Sequence, residues 1–188
     1  MKATIKGEGM ANNTHNECGI EVVSEGKRYD QWGEVVWVQA WAFNDGGRKA
    51  AGYKGFAGDC VTRAVTIATE QDYQVVYDFL SEKSRTQRVT ARSNKKASAR
   101  NGVSIRRKWF KDYMTSLGWI WVPTMQIGAG CTVHLKSDEL PSGRLIVRCT
   151  KHLTAMIDGV IHDTYDPSRE GTRCVYGYWK KMKGNESS

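Results

Sequence analysis

Gly58-Asp59-Cys60-Val61-Thr62-Arg63-Ala64 puts a cysteine where a glycine-rich loop enters a helical pattern. About ninety residues later, His152-Leu153-Thr154-Ala155-Met156-Ile157-Asp158-Gly159-Val160-Ile161-His162-Asp163 puts a histidine and an aspartate on the two arms of a predicted hairpin. In chain order these supply a nucleophile, a base and an orienting carboxylate, the parts needed for thiol-dependent acyl transfer. The thiolate is the reactive form, and a free thiol is mostly protonated at neutral pH. At a helix N-terminus, unpaired N–H groups and the positive end of the helix dipole favour the thiolate, and the same N–H groups can bind a developing oxyanion. Asp59 opposes this, since an adjacent negative charge raises a thiol's pKa; the penalty shrinks if its carboxylate turns into the helix as a cap. Alone, Cys60 is better explained as a buried cysteine filling a helix–sheet contact. The second segment shifts the balance to chemistry.

Asp158-Gly159 is a type I′ hairpin signal. With these two residues as the loop, Ile157 faces Val160, Thr154 faces Asp163 and His152 faces Tyr165. Side chains alternate along a strand, so Asp163 becomes the diagonal cross-strand neighbour of His152, on the same face. An aspartate there holds the imidazole's tautomer and stabilises its charged form. In this register His162 and Asp166 point the other way. The expected catalytic set is therefore Cys60, His152 and Asp163.

The elements that must position these residues are legible in outline. Residues 1 to about 17 are polar and read as a loose end. Gly19–Val23 and Glu34–Phe43 have strand character, joined by a polar loop from Ser24 to Gly33. Asn44-Asp45-Gly46-Gly47 is a turn signal. Asp59 caps a helix whose face is Val61, Ala64, Val65 and Ala68. A second helix fits Asp72–Lys83, and a third fits Ile105–Leu117, capped by Ser104 and stopped by Gly118. Ser84–Gly102 reads as an exposed basic loop. The pattern then changes to period two, with strands at Trp119–Pro123, Thr132–Leu135, Arg144–Cys149, Leu153–Ile157, Val160–Tyr165 and Cys174–Trp179. This is an α+β order, with N-terminal helices packed on a C-terminal antiparallel sheet. The expected division is an extension over 1–43, one α+β domain over 44–180 and a disordered tail over 181–188. The extension can add strands to that sheet or pair with another copy, so the oligomeric state stays open.

A cysteine heading a helix, then a histidine beginning a strand, then an aspartate on the adjacent strand, resembles the papain-like superfamily of cysteine peptidases and transglutaminases. The local match is Leu145-Ile146-Val147 followed by His152-x-x-Ala155 and the Asp-Gly turn, and the likeness covers residues 45 to 180. Gly58–Ala68 and His152–Trp179 are also similar to an uncharacterised family of bacterial and phage proteins. The resemblance implies a papain-like fold, with Cys60 as nucleophile, His152 as base and Asp163 as orienting residue, acting on a peptide or amide bond of a peptide or protein substrate. Such enzymes usually place a Gln shortly before the cysteine to complete the oxyanion hole. No Gln lies between Trp41 and Asp59; Gln39, Asn44 and Lys54 are the substitutes on offer.

The chain has 188 residues, 40% of them hydrophobic and 26% charged, enough to bury a core without staples. Its net charge of +8 is local: residues 81–111 carry eleven Lys and Arg against one Glu. Lys95, Lys96, Arg100, Arg106 and Arg107 of this stripe are the expected substrate-binding cations, selecting an acidic or phosphate-bearing substrate. The alternative from another class is a catalytically silent papain-like binding or structural protein, with the stripe over residues 81–111 on nucleic acid or an acidic partner. No apolar run approaches a membrane span, and the start lacks a secretory pattern, so no membrane partner is expected. Five scattered cysteines suggest reduced thiols and a cytoplasmic setting, in a bacterium or in a host cell if the protein is viral. His15-x-x-Cys18 with Cys131-x-x-His134 could make a two-Cys, two-His zinc set, but residues three apart on a strand face opposite sides; no metal and no cofactor are expected.

Overall fold

The structure, a computed structural model, describes residues 14–15, 21–23, 26–29, 32–86 and 98–182. In chain order it contains β1 (Thr14–His15), β2 (Glu21–Val23), β3 (Gly26–Tyr29), β4 (Val35–Val38), β5 (Trp41–Phe43), α1 (Cys60–Thr69), α2 (Tyr73–Arg85), α3 (Lys108–Ser116), β6 (Trp119–Pro123), β7 (Arg144–Cys149), β8 (His152–Ile157), β9 (Val160–Asp163) and β10 (Val175–Lys181). One sheet has the strand order β1-β2-β5-β9-β8-β7-β10-β6, with a six-strand body from β5 to β6; β3 and β4 form a separate antiparallel ribbon. The class is α+β.

The sheet is mixed rather than antiparallel, because β5 runs parallel to β9, with Trp41 opposite Ile161 and Phe43 opposite Asp163. Through β5, residues assigned to the extension join the main sheet. β3 lies where a polar loop was expected; pairing with the apolar β4 supplies its ladder bonds. Thr132–Leu135 forms no strand, and only a single bridge joins His134 to Cys174. β10 continues to Lys181, one residue into the expected tail.

α1 is central. Residues 61–68 are all buried, because the sheet covers one side and the other helices cover the rest. Val61, Ala64, Val65 and Ala68 pack with Ile146, Leu153 and Ala155 of β7 and β8, and with Phe110 and Met114 of α3. On the sheet's other face, Leu145, Val147, Met156 and Ile161 pack with Leu135, Leu140 and Val175. Each fully buried aliphatic side chain contributes about 1.5–3 kcal/mol, so the strands that carry the site are held between two apolar clusters.

α2 starts as its sequence dictates: the Asp72 carboxylate accepts the Gln74 and Val75 N–H groups at 2.8 and 3.2 Å. α3 starts later than Ile105, at Lys108, because a turn closed by Arg107 N–H to the Ser104 carbonyl (3.2 Å) comes first. Most of the basic loop, residues 87–97, lies outside the described residues. Its far end is anchored: Ala99 is buried, and its carbonyl accepts the Thr62 hydroxyl at 3.3 Å. Among the described residues no helix is long and apolar enough to cross a membrane.

Candidate active site

The Asp158-Gly159 turn has φ values of 47° and 84°, the doubly positive geometry of a type I′ turn, and Ile157 faces Val160 as expected. Gly143 N–H donates to the Asp158 carboxylate at 2.8 Å and fastens the turn to the start of β7. His152 is the first residue of β8 and Asp163 the last of β9, so both stand at the rim of the sheet. There the N-terminus of α1 overhangs them. The loop leading to α1 leaves the sheet at Asn44, whose N–H donates to the Asp163 carbonyl at 2.9 Å. It then passes close to α1 at Gly46, where φ is 66° and an added Cβ would lie 3.3 Å from the Arg63 backbone.

Cys60, the first residue of α1, is half-buried in a cleft of about 1180 Å³ that His152 and Tyr165 also line. Burial pushes its thiol up, but His152 by hydrogen bonding and charge, the Leu153 backbone N–H and the Arg63 charge together hold it below its ordinary value. His152 Nε2 bonds Asp163 Oδ2 at 2.7 Å, which leaves Nδ1, 3.5 Å from the Tyr165 hydroxyl, as the nitrogen available to the thiol. Burial disfavours the imidazolium, yet the bonds and charges of Asp163 and Cys60 outweigh it and push His152 up to about 9. Asp163 is buried, which opposes ionisation; His152, the Thr164 N–H at 2.7 Å and Arg63 nevertheless hold its carboxyl below its ordinary value. A lowered thiol beside a raised imidazole favours the thiolate–imidazolium form of the pair. The other free thiol, Cys149, lies in the opposite core, where burial pushes it up to about 11.

Asp59 does not cap α1: its side chain makes no cap hydrogen bond. Its carboxylate is fully buried and accepts Arg63 Nη1 at 2.7 Å, Arg48 Nε at 3.0 Å and the Tyr73 hydroxyl at 2.6 Å. The charge feared beside Cys60 is thus neutralised by cations rather than by the helix. Burial and Asp59 together push the Tyr73 phenol far up, so it stays a donor. Arg63 also gives Nη2 to Asp163 at 3.3 Å, which links the residue before the thiol to the residue behind the imidazole. Sequence reasoning missed Arg48, Arg63 and Tyr73. The four-residue spacing of Asp59 and Arg63 was the available signal; the other two arrive through the tertiary fold.

Of the oxyanion substitutes, Gln39 is buried and occupied, donating to the Gly159 carbonyl at 2.6 Å and accepting Ser137 N–H at 2.9 Å. Asn44 accepts Gly46 N–H at 2.8 Å and contacts His162. Lys54 does line the cleft. Of the expected substrate-binding cations, Arg106 lines the cleft, whereas Arg100 and Arg107 are exposed outside its lining, and Lys95 and Lys96 lie outside the described residues. Arg148 and Lys151 line it too and were not anticipated.

The cysteines are not all unpaired. Cys131 and Cys174, 43 residues apart, form a disulfide, set up by the neighbouring backbone bridge of His134 with Cys174. His134 meets Glu139, with Nδ1 at 3.1 Å, so Cys131 and His134 do not form half of a zinc site. No protein-family model, curated protein or solved structure matches this chain.

Proposed function

We propose that the protein is a papain-like cysteine hydrolase or acyltransferase that acts on a peptide or amide bond. The observation that carries this is a thiol at a helix N-terminus, open to a cleft and coupled to an imidazole whose other nitrogen bonds a buried carboxylate. A cysteine that only packs needs none of these partners.

The Cys60 thiolate attacks the substrate carbonyl carbon, forming the C–S bond as the C=O π pair moves onto oxygen. Because Asp59 is turned away from the helix, the first-turn amides of α1 have no side-chain cap and are free to hold that oxyanion. On collapse the C–N bond breaks, and His152 gives its proton to the departing amine. Water or a second amine then attacks the thioester, His152 takes its proton, and the thiolate leaves. Asp163 keeps Nε2 occupied throughout, which reserves the other nitrogen for these transfers. Arg63 acts as a positioning residue, fixing Asp163 from behind.

The test is iodoacetamide labelling of Cys60 across pH, read by peptide mass spectrometry against Cys149 as internal control. The expected result is fast Cys60 labelling well below the usual thiol range, slowed strongly in His152→Ala, with Cys149 inert throughout. Labelling of Cys60 no faster than Cys149 and insensitive to the substitution overturns the enzyme reading. That outcome favours the silent binding protein.

A further inference from the structure

The cleft wall carries more positive charge than the chemistry uses. Arg48 and Arg63 are spent on Asp59 and Asp163. Asp45, the cleft's one lining carboxylate among the described residues, is held in its own turn by the Gly47 and Lys49 N–H groups at 3.0 and 2.9 Å. Arg106 and Arg148 have no carboxylate partner among the described residues, although both line the cleft. They come from different elements, the turn before α3 and the strand β7, yet the Arg106 charge acts on Arg148, and the two repel. Arg148 is half-buried, with its guanidinium 5.4 Å from the Tyr176 ring centre. That ring is fixed in turn by a 3.0 Å hydrogen bond between its hydroxyl and the Thr150 hydroxyl. A half-buried guanidinium such as that of Arg148 normally has an anion partner. With the exposed Arg106 lining the same cleft, it supplies a multi-donor cradle that an entering anion would satisfy.

The position of this pair relates it to the thiol. Arg148 lies opposite Leu153 in the β7–β8 ladder, and the Leu153 N–H faces the Cys60 sulfur. Neighbouring strands are about 4.8 Å apart, so an arginine one strand over, reaching along the cleft, meets a group within a residue or two of the scissile carbonyl. Accordingly, we propose that Arg106 and Arg148, with Tyr176 as platform, form a carboxylate-binding subsite that makes the protein selective for peptides with a Glu or Asp next to the bond attacked by Cys60. The proposal rests on the acyl-transfer reading above and deepens it by naming the substrate class. A peptide carboxylate is favoured over nucleic acid because the cradle sits inside the cleft of an acyl-transfer centre rather than on an outward face.

The experiment uses the full-length protein and tripeptidyl vinyl sulfones that differ only in the residue beside the electrophile: Glu, Gln or phosphoserine. The rate of Cys60 modification is followed by intact mass, beside iodoacetamide as a small neutral reagent. The Glu probe is expected to react about tenfold or more faster than the Gln probe at low salt, with the ratio falling towards one at high salt. In Arg106→Gln/Arg148→Gln the ratio drops to about one. Arg106→Glu, an exposed change that avoids disturbing β7, brings it to one or below. Equal Glu and Gln rates in the unmodified protein, fast or slow, while iodoacetamide still labels Cys60 rapidly, overturn the subsite and leave the enzyme reading standing. A phosphoserine probe that outruns the Glu probe tenfold overturns the carboxylate assignment in favour of phosphate. A Cys60 inert to iodoacetamide and to every probe instead removes the acyl-transfer reading on which the subsite depends.

Discussion

Replacing Asp163 by Asn tests whether the carboxylate, rather than the fold at large, creates the reactive thiol. The substitution keeps the size of the side chain and an oxygen for Thr164 N–H and Arg63, but removes the negative charge 2.7 Å from His152 Nε2. His152 stands at about 9 against an ordinary 6.5, and burial alone would take it below 6.5. The gap of about 2.5 pH units, at about 1.4 kcal/mol each, is about 3.5 kcal/mol of preference for the imidazolium, and Asp163 leads the groups that raise it. Without that charge the imidazole is neutral near pH 7, and the thiol loses the partner that outweighed its burial. At pH 6.5 the reactive ion pair then falls by about two orders of magnitude. The assay is the pH profile of iodoacetamide labelling at Cys60. Wild type should hold a plateau from the lowered thiol pKa up to about 9, whereas Asp163→Asn should rise only in the alkaline range. Stability gives an independent check with a definite sign. A group whose pKa is higher in the folded state stabilises fully below its unfolded pKa of about 6.5 and ceases to do so as pH passes about 9. The substitution should therefore lower Tm more at pH 6 than at pH 9.5. Labelling of Asp163→Asn at pH 6.5 within threefold of wild type would refute the reasoning.

Two further outcomes follow from the surrounding framework. Asp59→Asn leaves Arg48 and Arg63 facing an uncharged group in a buried site; it should cost about 3–5 kcal/mol, read by urea denaturation, and a loss under 1 kcal/mol would show that the cluster is solvated. Cys131→Ser opens a 43-residue loop and should cost about 4 kcal/mol of stability by chain entropy while leaving the pH profile of Cys60 labelling in place; a shifted profile would mean that the disulfide tensions the sheet rim.

What was legible in the sequence tracks how local each determinant is. The β8–β9 hairpin follows from two residues, Asp158 and Gly159, because a two-residue I′ loop fixes the register and the register fixes which side chains are diagonal neighbours. Placing His152 against Asp163 therefore required no tertiary information. The start of α1 at Cys60 is similarly local, although its stated reason fails: Asp59 does not cap the helix but anchors two arginines and a tyrosine. Nothing local marks β5 as a parallel neighbour of β9, since the two are separated by more than one hundred residues and a complete helical layer. Nothing local marks Arg148 in the strand Arg144–Cys149 as a cleft residue; it lines the cleft together with residues of the turn before α3, which the tertiary fold brings there.

The buried groups behind the thiol form a chain in which every link joins opposite charges: Arg48 to Asp59, Asp59 to Arg63, Arg63 to Asp163, Asp163 to His152, and His152 to the Cys60 thiolate. The first four members cancel among themselves. The last two cancel whether they stand as thiolate and imidazolium or as thiol and imidazole. A proton passing between Cys60 and His152 therefore changes a local dipole and imports no net charge into a region where an uncompensated charge costs several kcal/mol. The alternation also favours the ionised form of the pair. Each carboxylate is pinned between cations, so Asp163 cannot relax away from the imidazolium, and the preorganised dipoles do not have to reorient when the proton moves. Because the chain is self-compensated, the cations that remain on the cleft wall are left unscreened by it. Positive potential at the mouth of the cleft is then the counterpart of neutrality behind it, and the anionic substrate proposed above would be attracted by charges that the proton transfer does not consume.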